Sequence, residues 1–426
     1  MTETQRGDPT GLGEDEARLT LQRIERHVSP GAALSAKVLG GGGVEVAASG
    51  AVVTLSDGRE LLDFGSYAVT LLGHRHPAVL AAVADGLAKM PTATRVLANP
   101  VTAAFAAELS EHCGSPLQRV WLGSDGADAV EVALKLARRS SSRMRVLVVE
   151  GAFHGKTLGA LALTRNPVFR EGLESLLEPV TELPRDDPEA VRREAAAGDV
   201  AALVVEPIQG EAGVRVLDPA VLARWATDAR AAGVFLISDE IQVGLRRAGP
   251  FSLSLAASLE PDAILFGKAL GGGLMPISAL VATETLAAPL IADPTWHSAT
   301  FGGHPLACAA GRAALVAIDA EAANGSAVAE VVGDGLQELT ATHPEVIAEV
   351  RGAGLIWGIE FASPGAAGAA LIELAQKGLL VSPCLSSTST VRLLPPMATT
   401  PDQAADALAI LAATLPELEP YVQSAV

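Results

Sequence analysis

The stretch PAVLARWATDARAAGVFLISDE, residues 219–240, decides the fold. Its first part is alanine-rich and typical of a helix, and its second part, VFLIS, is a short apolar run that ends in two acids. Similar apolar runs alternate with alanine-rich stretches along the chain. The runs that we interpret as strands are RVLVVE (residues 145–150), AALVVE (residues 201–206) and AILFG (residues 263–267). This alternation predicts an α/β fold with buried parallel strands joined by helices.

The composition predicts a globular protein without a nucleic-acid partner. The chain has 426 residues, of which 49% are hydrophobic, enough for one large domain and a smaller one. The formal net charge is -18, whereas nucleic-acid binding draws on clustered lysine and arginine. Small molecules or proteins are therefore the expected partners.

The spacing of the cysteines and the absence of long apolar segments bear on the cellular compartment of the protein. Cys113, Cys308 and Cys384 are far apart and form no pair such as CxxC, so neither a disulfide framework nor a metal site is expected. The N-terminal segment has no apolar core of signal-peptide length, and no run of about 18 apolar residues follows it. We expect a soluble cytoplasmic protein with no membrane partner.

The chain divides into four predicted segments. Residues 1–17 are polar and contain glycine and proline, which predicts a flexible tail. Residues 44–64 hold β-rich runs around a Ser-Asp-Gly turn signal and predict a hairpin, which places residues 18–64 in a smaller domain. Residues 65–310 form the predicted large domain, and residues 311–426 form the C-terminal part of the smaller one.

Polar residues at the ends of apolar runs are the candidate site residues, because open α/β sheets bind ligands beyond the carboxyl ends of their strands. Asp239 ends one run and can pair with a protonated heterocyclic nitrogen, with a helix N-cap or a surface acid as the alternative. Lys268 follows the next run and precedes three glycines. A partly desolvated amine there loses its proton readily and can form a Schiff base, whereas an isolated lysine after a strand is usually only solvated.

Two further features are compatible with a bound ligand. Residues 123–139, GSDGADAVEVALKLARR, place a turn of small residues before a helical segment, so the amides of Gly126 and Ala127 can bind an anion. Asp125 in that turn can equally be an ordinary helix N-cap. Phe153 follows another strand end and can lie on a flat ring, or it can be a core side chain.

A nucleotide-binding loop is the alternative of another class. Residues 145–161, RVLVVEGAFHGKTLGAL, provide a strand, a loop and Gly155-Lys156-Thr157, as in a phosphate-binding loop. The spacing argues against it, because such a loop needs a glycine five positions before Gly155, where Glu150 stands. Nucleotide binding through Lys156 stays a minor alternative.

Together these residues resemble the class III, or ω-aminotransferase, family of fold-type I enzymes that use pyridoxal 5'-phosphate (PLP). The similarity covers most of the chain, from residue 61 to residue 396. Its strongest motifs are VVEPIQGEAGV (residues 204–214), SDEIQVGLRRAG (residues 238–249), FGKALGGG (residues 266–273) and TFGGHPLACAAG (residues 300–311). The resemblance implies a fold-type I PLP-dependent transferase, with a mostly parallel seven-stranded sheet in the large domain and a smaller α+β domain.

The resemblance also implies the roles of individual residues. Lys268 and Asp239 would be catalytic: Lys268 would carry the cofactor as an internal aldimine and shuttle a proton, and Asp239 would pair with the pyridine nitrogen. The residues implied to bind the cofactor are Gly126, Ala127, Phe153, His154, Glu206, Asp239, Gln242, Lys268 and Thr300, the last from the second subunit of a homodimer. Arg392 would clamp a substrate carboxylate, Glu211 would neutralise that arginine when an amine end occupies the pocket, and Tyr67 would lie at the substrate mouth.

The implied reaction is a ping-pong transfer of an amino group, from an ω-amine or an amino acid to a 2-oxo acid. The same fold also supports PLP-dependent decarboxylases, aminomutases and racemases. Three departures from the family pattern concern the site: Asp125 stands where a hydroxyl residue is usual, His304 replaces an asparagine, and the segment from Asp63 to Gly73 is shorter by one residue.

Overall fold

The computed structural model describes residues 14–94, 96–177 and 179–422. The strands in these residues are β1 (Glu45–Ser49), β2 (Val52–Leu55), β3 (Glu60–Asp63), β4 (Arg119–Gly123), β5 (Arg145–Val149), β6 (Val180–Leu183), β7 (Val200–Val205), β8 (Ile208–Gln209), β9 (Arg215–Val216), β10 (Phe235–Asp239), β11 (Ala263–Phe266), β12 (Ser278–Ala282), β13 (Ile347–Ala353), β14 (Ile356–Phe361), β15 (Leu379–Leu380), β16 (Ser382–Pro383) and β17 (Thr390–Leu393). The helices are α1 (Glu14–His27), α2 (Pro30–Leu39), α3 (Pro77–Lys89), α4 (Pro100–Cys113), α5 (Gly126–Ser141), α6 (Leu158–Leu163), α7 (Ala190–Ala195), α8 (Pro219–Ala231), α9 (Leu253–Ala256), α10 (Glu284–Ala292), α11 (Pro305–Ala320), α12 (Ala322–Thr342), α13 (Pro364–Gln376) and α14 (Pro401–Val422).

The centre of the fold is a seven-stranded sheet in the order β4-β12-β11-β10-β7-β5-β6. Strand β12 is antiparallel to both of its neighbours, and the other neighbouring strands pair in parallel. This confirms the predicted α/β class with a mostly parallel seven-stranded sheet. Strands β7 and β11 are buried at every residue, as expected for strands with helices on both faces.

The alternation of side chains along β7 shows how the two faces are covered. Ala202 and Val204 join a core cluster with α5, whereas Leu203 and Val205 join a second cluster with α8, which contributes Trp225. Both faces of the sheet are therefore fixed by packing. The carboxyl ends of its parallel strands consequently form one stable edge, on which polar residues can be held in place.

Two smaller sheets involve both ends of the chain. Strands β1, β2 and β3 pair antiparallel, which confirms the hairpin predicted for residues 44–64, and β15 adds in parallel to β3. A second sheet has the order β13-β14-β17-β16. The predicted division of the chain into a large and a smaller domain stays a prediction, and α11 runs without a break across its boundary at residue 310.

The predicted N-terminal tail is partly helical, because α1 begins at Glu14. Residues 1–13 of that segment lie outside the described residues. Cys113, Cys308 and Cys384 are all buried and unpaired. Burial raises the pKa of the Cys113 thiol to about 12, so this thiol is unreactive at neutral pH. A cytoplasmic location stays a prediction.

The described residues contain neither a helix suited to a membrane nor a side-chain cluster suited to a metal ion. None of the helices in this part of the chain is both long and apolar enough to cross a membrane. No group of three or more histidine, cysteine, aspartate or glutamate side chains within it is arranged to hold a metal ion.

Candidate active site

The carboxyl edge of the central sheet holds a cavity of about 200 Å³. It is formed by residues that follow β5, β7 and β10, by the turn after β11 and by the first turn of α5. The lining residues are Gly126, Ala127, Phe153, His154, Gly155, Glu206, Ile208, Glu211, Asp239, Ile241, Gln242, Val243 and Lys268. All the predicted site residues line this cavity except Arg392, Thr300 and Tyr67.

Lys268 begins the short 3-10 turn Lys268–Gly271 that follows β11, and its φ of 45° lies in the left-handed region. The backbone returns to that region at Gly272 and Gly273, with φ of 64° and 74°. A Cβ atom on Gly272 would lie only 2.8 Å from the side chain of Val79, so glycine is needed for the turn to pack this closely. Non-glycine residues held in this conformation cluster at functional sites, and Lys268 is a non-glycine residue of this kind.

The surroundings of Lys268 favour its neutral form. Burial is the largest influence and lowers the pKa of Lys268 to about 8, against the opposing charge of the Glu211 carboxylate. The Arg392 guanidinium lowers the pKa further, whereas Asp239 and Glu206 raise it. Close to pH 8, a substantial fraction of the amine is therefore unprotonated and can act as a nucleophile.

Asp239 is buried at the end of β10 and is held by two hydrogen bonds. Its Oδ2 lies 2.6 Å from Nδ1 of the buried His154, and its Oδ1 accepts from the backbone N–H of Ile241 at 3.1 Å. Burial alone would lower the pKa of His154, but the hydrogen bond and charge of Asp239, together with the charge of Glu206, raise it. Nε2 of His154 is buried without a partner among the described residues.

Glu206 follows β7 and is held beside the Asp239–His154 pair. Burial raises its pKa to about 7, although the charge of His154 opposes this. Its Oε2 accepts a hydrogen bond from the backbone N–H of Phe153 at 3.0 Å. Glu206 therefore fixes the loop after β5, which carries both Phe153 and His154.

The first turn of α5 closes one end of the cavity with the small residues Gly126 and Ala127. Asp125 is the N-cap of this helix, and its carboxylate accepts from the backbone N–H of Asp128 at 3.1 Å. The N-cap interpretation of Asp125 is therefore confirmed. The amides of the first turn and the helix dipole leave this end of the cavity suited to an anion.

Glu211 and Arg392 form a buried ion pair next to the cavity. Nη1 of Arg392, on β17, donates to Oε1 of Glu211 at 2.6 Å and to the side-chain oxygen of Gln242 at 2.9 Å. The second carboxylate oxygen of Glu211 accepts from the backbone N–H of Leu385 at 3.1 Å. Burial opposes ionisation of Glu211, but the charges of Arg392 and Lys268 and these hydrogen bonds lower its pKa. Glu211 is therefore ionised at neutral pH.

Thr300 and Tyr67 lie apart from the cavity of this chain. Thr300 is exposed in the loop before α11. The side chain of Tyr67 is also exposed, within the 3-10 turn Ser66–Ala68, in which all three residues have positive φ. This turn packs against the Lys268 turn and is fixed from below by the buried Asp63, whose Oδ2 accepts from the hydroxyl of Ser66 at 2.5 Å.

The contacts of Lys156 and Thr157 do not suit a phosphate-binding loop. The ammonium group of Lys156 lies over the ring of Phe169, 3.9 Å from its centre. The hydroxyl of Thr157 donates to Oε1 of Glu131 at 2.6 Å. Both side chains that would bind phosphate and magnesium are thus engaged elsewhere, which disfavours nucleotide binding.

The apolar walls of the cavity were not predicted from the sequence. They are provided by Ile208, Ile241 and Val243. An apolar residue after a strand is usually part of the core, so no local signal distinguishes these three positions. Their contribution is to exclude water around the polar groups of the site, which strengthens the electrostatic interactions there.

Comparison with known proteins identifies the class. The family model described as Aminotransferase class-III matches residues 43–415. The chain therefore belongs to the class III aminotransferase family. It is a transaminase, and its cofactor is PLP.

Individual relatives agree with this assignment. The chain is 37% identical over 379 residues to a putrescine aminotransferase of Pectobacterium atrosepticum, covering 86% of this chain and 81% of that protein. Its fold is similar to the ornithine aminotransferase of Toxoplasma gondii ME49, with a TM-score of 0.86, 28% identity and 96% of each chain covered. It is also similar to an amine transaminase from an uncultivated Pseudomonas species in its PLP-bound internal aldimine form, with a TM-score of 0.81, 27% identity and coverage of 88% of this chain and 95% of that one.

The residues of the cavity fit this cofactor. An aldehyde requires an amine that is neutral near physiological pH, and Lys268 provides one. A protonated ring nitrogen requires a fixed carboxylate, and Asp239 is buried and held in place by His154 and by the N–H of Ile241. A phosphate requires N–H donors, which are present in the first turn of α5.

Proposed function

We propose that this transaminase moves the primary amine of a diamine, or the ω-amine of an amino acid, to a 2-oxo acid. The observation that carries the proposal is the buried pair of Glu211 and Arg392 beside Lys268. An arginine here can bind the carboxylate of a 2-oxo acid in a bidentate manner. When the pocket instead holds a substrate end without a carboxylate, Glu211 neutralises the arginine, so that one site can accept both kinds of substrate.

In this proposal Lys268 holds the aldehyde carbon of the cofactor, and Asp239 pairs with its ring nitrogen. Phe153 lies on the ring face, and Gln242 lies near the ring hydroxyl. The first turn of α5 binds the phosphate. Bound PLP supplies an electron sink for the carbanion formed at the substrate carbon. The Lys268 amine takes up and returns the proton, which its lowered pKa allows near neutral pH. Glu206 keeps the Phe153 loop in position, and His154 keeps Asp239 in position.

The choice of an ω-amine is supported by the relatives as well as by the ion pair. The similar proteins include a putrescine aminotransferase and an ornithine aminotransferase, whose names specify a diamine and a diamino acid.

A donor panel tests the proposal. The purified holoenzyme is assayed with 2-oxoglutarate and with pyruvate against putrescine, ornithine, 4-aminobutyrate and norvaline, which has only an α-amine. We expect at least one ω-amine donor to exceed norvaline in kcat/KM by about tenfold or more, since the carbon that bears its reacting amine has no carboxylate and so fits beside a neutralised arginine. Preference for norvaline would contradict the ω-amine assignment. Release of CO₂ or racemisation without amino transfer would instead favour the other PLP reactions.

We also infer a homodimer. Thr300 is exposed and outside the cavity of its own chain, which fits a residue that completes the site of a second copy. Apolar side chains are exposed next to Thr300 and on α11, at Phe301 and Val316, which are 64% and 71% exposed. Sedimentation velocity is expected to give twice the chain mass of 43.4 kDa. A protein that sediments as a monomer while active would contradict this inference.

A further inference from the structure

Arg351, on β13, connects the loop that carries Glu211 to the strand that carries Arg392. We propose that Arg351 is a positioning residue that holds Glu211 against Arg392 and so sets the preference of the site between amine donors and carboxylate-bearing acceptors. The proposal rests on the function proposed above and adds a residue outside the cavity. It follows from the contacts of one guanidinium group with two elements.

The first element is the loop after β8. Nε of Arg351 donates to the carbonyl oxygen of Gly213, two residues after Glu211, at 2.6 Å. The backbone is unusual here, since Gly213 has φ 97° and Val214 has φ 55°. A Cβ atom on Gly213 would lie 2.8 Å from Nη2 of Arg351, so the loop approaches the guanidinium as closely as glycine allows.

The second element is β17. Nη2 of Arg351 donates to the hydroxyl oxygen of Thr390, two residues before Arg392, at 3.2 Å. Thr390 is buried, and its hydroxyl also lies 2.8 Å from that of Ser387. Because side chains alternate along a strand, Thr390 and Arg392 lie on the same face of β17. Arg351 therefore reaches both partners of the ion pair through residues two positions away from them in the chain.

Two carboxylates keep Arg351 in this place. Nη1 lies 2.6 Å from Glu349 and 2.5 Å from Glu360, and the side chain of Arg351 is only 9% exposed. Arg215 binds the same two carboxylates, at 3.2 Å and 2.8 Å. No hydrogen bond joins Arg215 to Gly213 or to Thr390 among the described residues. Replacing Arg215 therefore removes a charge from the same two carboxylates and leaves the contacts of Arg351 with Gly213 and Thr390 in place, which makes it a matched control.

The contacts of Arg351 with Gly213 and Thr390 matter because the ion pair of Glu211 and Arg392 must open when a 2-oxo acid binds to Arg392. The carbonyl of Glu211 accepts from the N–H of Ser386 at 2.9 Å, and Gly213 is held by Arg351. The Glu211 loop is thus fixed at both ends of a short segment, and the closed pair is favoured. A loosened loop weakens the pair, which leaves Arg392 more available to carboxylates and less well neutralised toward a donor amine.

The test compares Arg351→Met with Arg215→Met in the holoenzyme. For Arg351→Met we expect the KM of the best ω-amine donor to rise by about tenfold and the Kd of glutarate, a dicarboxylate that cannot accept an amino group, to fall by about threefold. Arg215→Met should change neither value by more than about twofold. Opposite shifts for the two ligands distinguish positioning from a general loss of structure, which would weaken both.

Thr390→Val covers the case in which Arg351→Met does not fold, because it keeps Arg351 and nearly keeps the volume, and removes the acceptor on β17 together with the hydrogen bond to Ser387. We expect the same two shifts at smaller size. The proposal would be overturned if the KM of the donor and the Kd of glutarate changed in the same direction, or if Arg215→Met had effects equal to those of Arg351→Met. It would also be overturned if neither Arg351→Met nor Thr390→Val changed either value. Wild-type protein is assayed beside the variants: if it transfers no ω-amine, the proposed function fails first and this inference fails with it.

Discussion

Replacing Lys268 with alanine is expected to lower turnover by about 10⁴-fold or more, because the substitution removes both the nucleophile and the group that moves the proton. The loss should appear in kcat with every donor, since it does not depend on substrate recognition. The measurement is single-turnover amino transfer with the donor chosen from the panel. Borohydride reduction of the wild-type holoenzyme, followed by peptide mass mapping, should place the cofactor mass on Lys268.

Lys156→Ala is the matched control for this prediction. It removes the lysine that a nucleotide-binding loop would need, and its ammonium group lies over Phe169 outside the cavity. We expect its turnover to stay within about threefold of wild type, since it loses cation-π contacts with Phe169 and, at 6.0 Å, with Phe153, and such contacts are weak at an exposed lysine. Full turnover in Lys268→Ala, or cofactor mass on Lys156, would refute the assignment of the nucleophile.

The pH dependence of cofactor loading gives a second readout for Lys268. Only the neutral amine attacks an aldehyde, so the loading rate of the cofactor-free protein should rise with pH. Since the pKa of Lys268 is lowered to about 8, the midpoint of this rise should lie near pH 8. An ordinary exposed lysine would give a midpoint near pH 10.4.

Replacing Asp239 with asparagine is expected to lower kcat by about 10³-fold, because a neutral amide cannot hold a protonated ring nitrogen. The substitution also removes the hydrogen bond and the charge of the carboxylate that raise the pKa of His154, and leaves the burial that lowers it and the charge of Glu206 that raises it. The pKa of His154 should therefore fall in the variant. Asp239→Glu keeps a carboxylate and should retain more activity than Asp239→Asn at equal folding stability.

Asp262→Asn is the control for the Asp239 substitution. Asp262 directly precedes β11 and accepts a hydrogen bond from the N–H of Leu236, at the edge of the sheet opposite the cavity. An asparagine can still accept that bond, so we expect kcat within about twofold of wild type. A similar loss in both variants would point to sheet stability instead of chemistry. An Asp239→Asn protein with wild-type kcat would exclude the proposed role.

The strand-end rule accounts for the part of the site that was predicted from the sequence. Glu206, Asp239 and Lys268 each lie at the end of a parallel strand or just after it, and a sheet brings such positions to one edge whatever their separation in the chain. The sheet itself was predictable because its strands are continuous apolar runs between helices. Residues that depend on the strand order or on a loop conformation had no such signal.

His154 and Arg351 illustrate what local patterns do not provide. The bond between His154 and Asp239 joins residues 85 positions apart and becomes visible only when β5 and β10 are placed on either side of β7. Arg351 reaches Gly213 from a separate sheet. The turn Ser66–Ala68 has positive φ at three residues without a glycine, so no turn propensity indicates it.

That turn has a consequence for how the enzyme can diverge. Left-handed backbone costs roughly 1 to 2 kcal/mol for each non-glycine residue, and here the cost is offset by the carboxylate of Asp63 and by Arg247, which donates to the carbonyl of Ala68 at 3.5 Å. Glycine at position 66, 67 or 68 would relieve the strain but would also free the segment beside Lys268. Selection for precise recognition of the donor therefore favours non-glycine residues at these three positions, whereas selection for a more stable chain favours glycine.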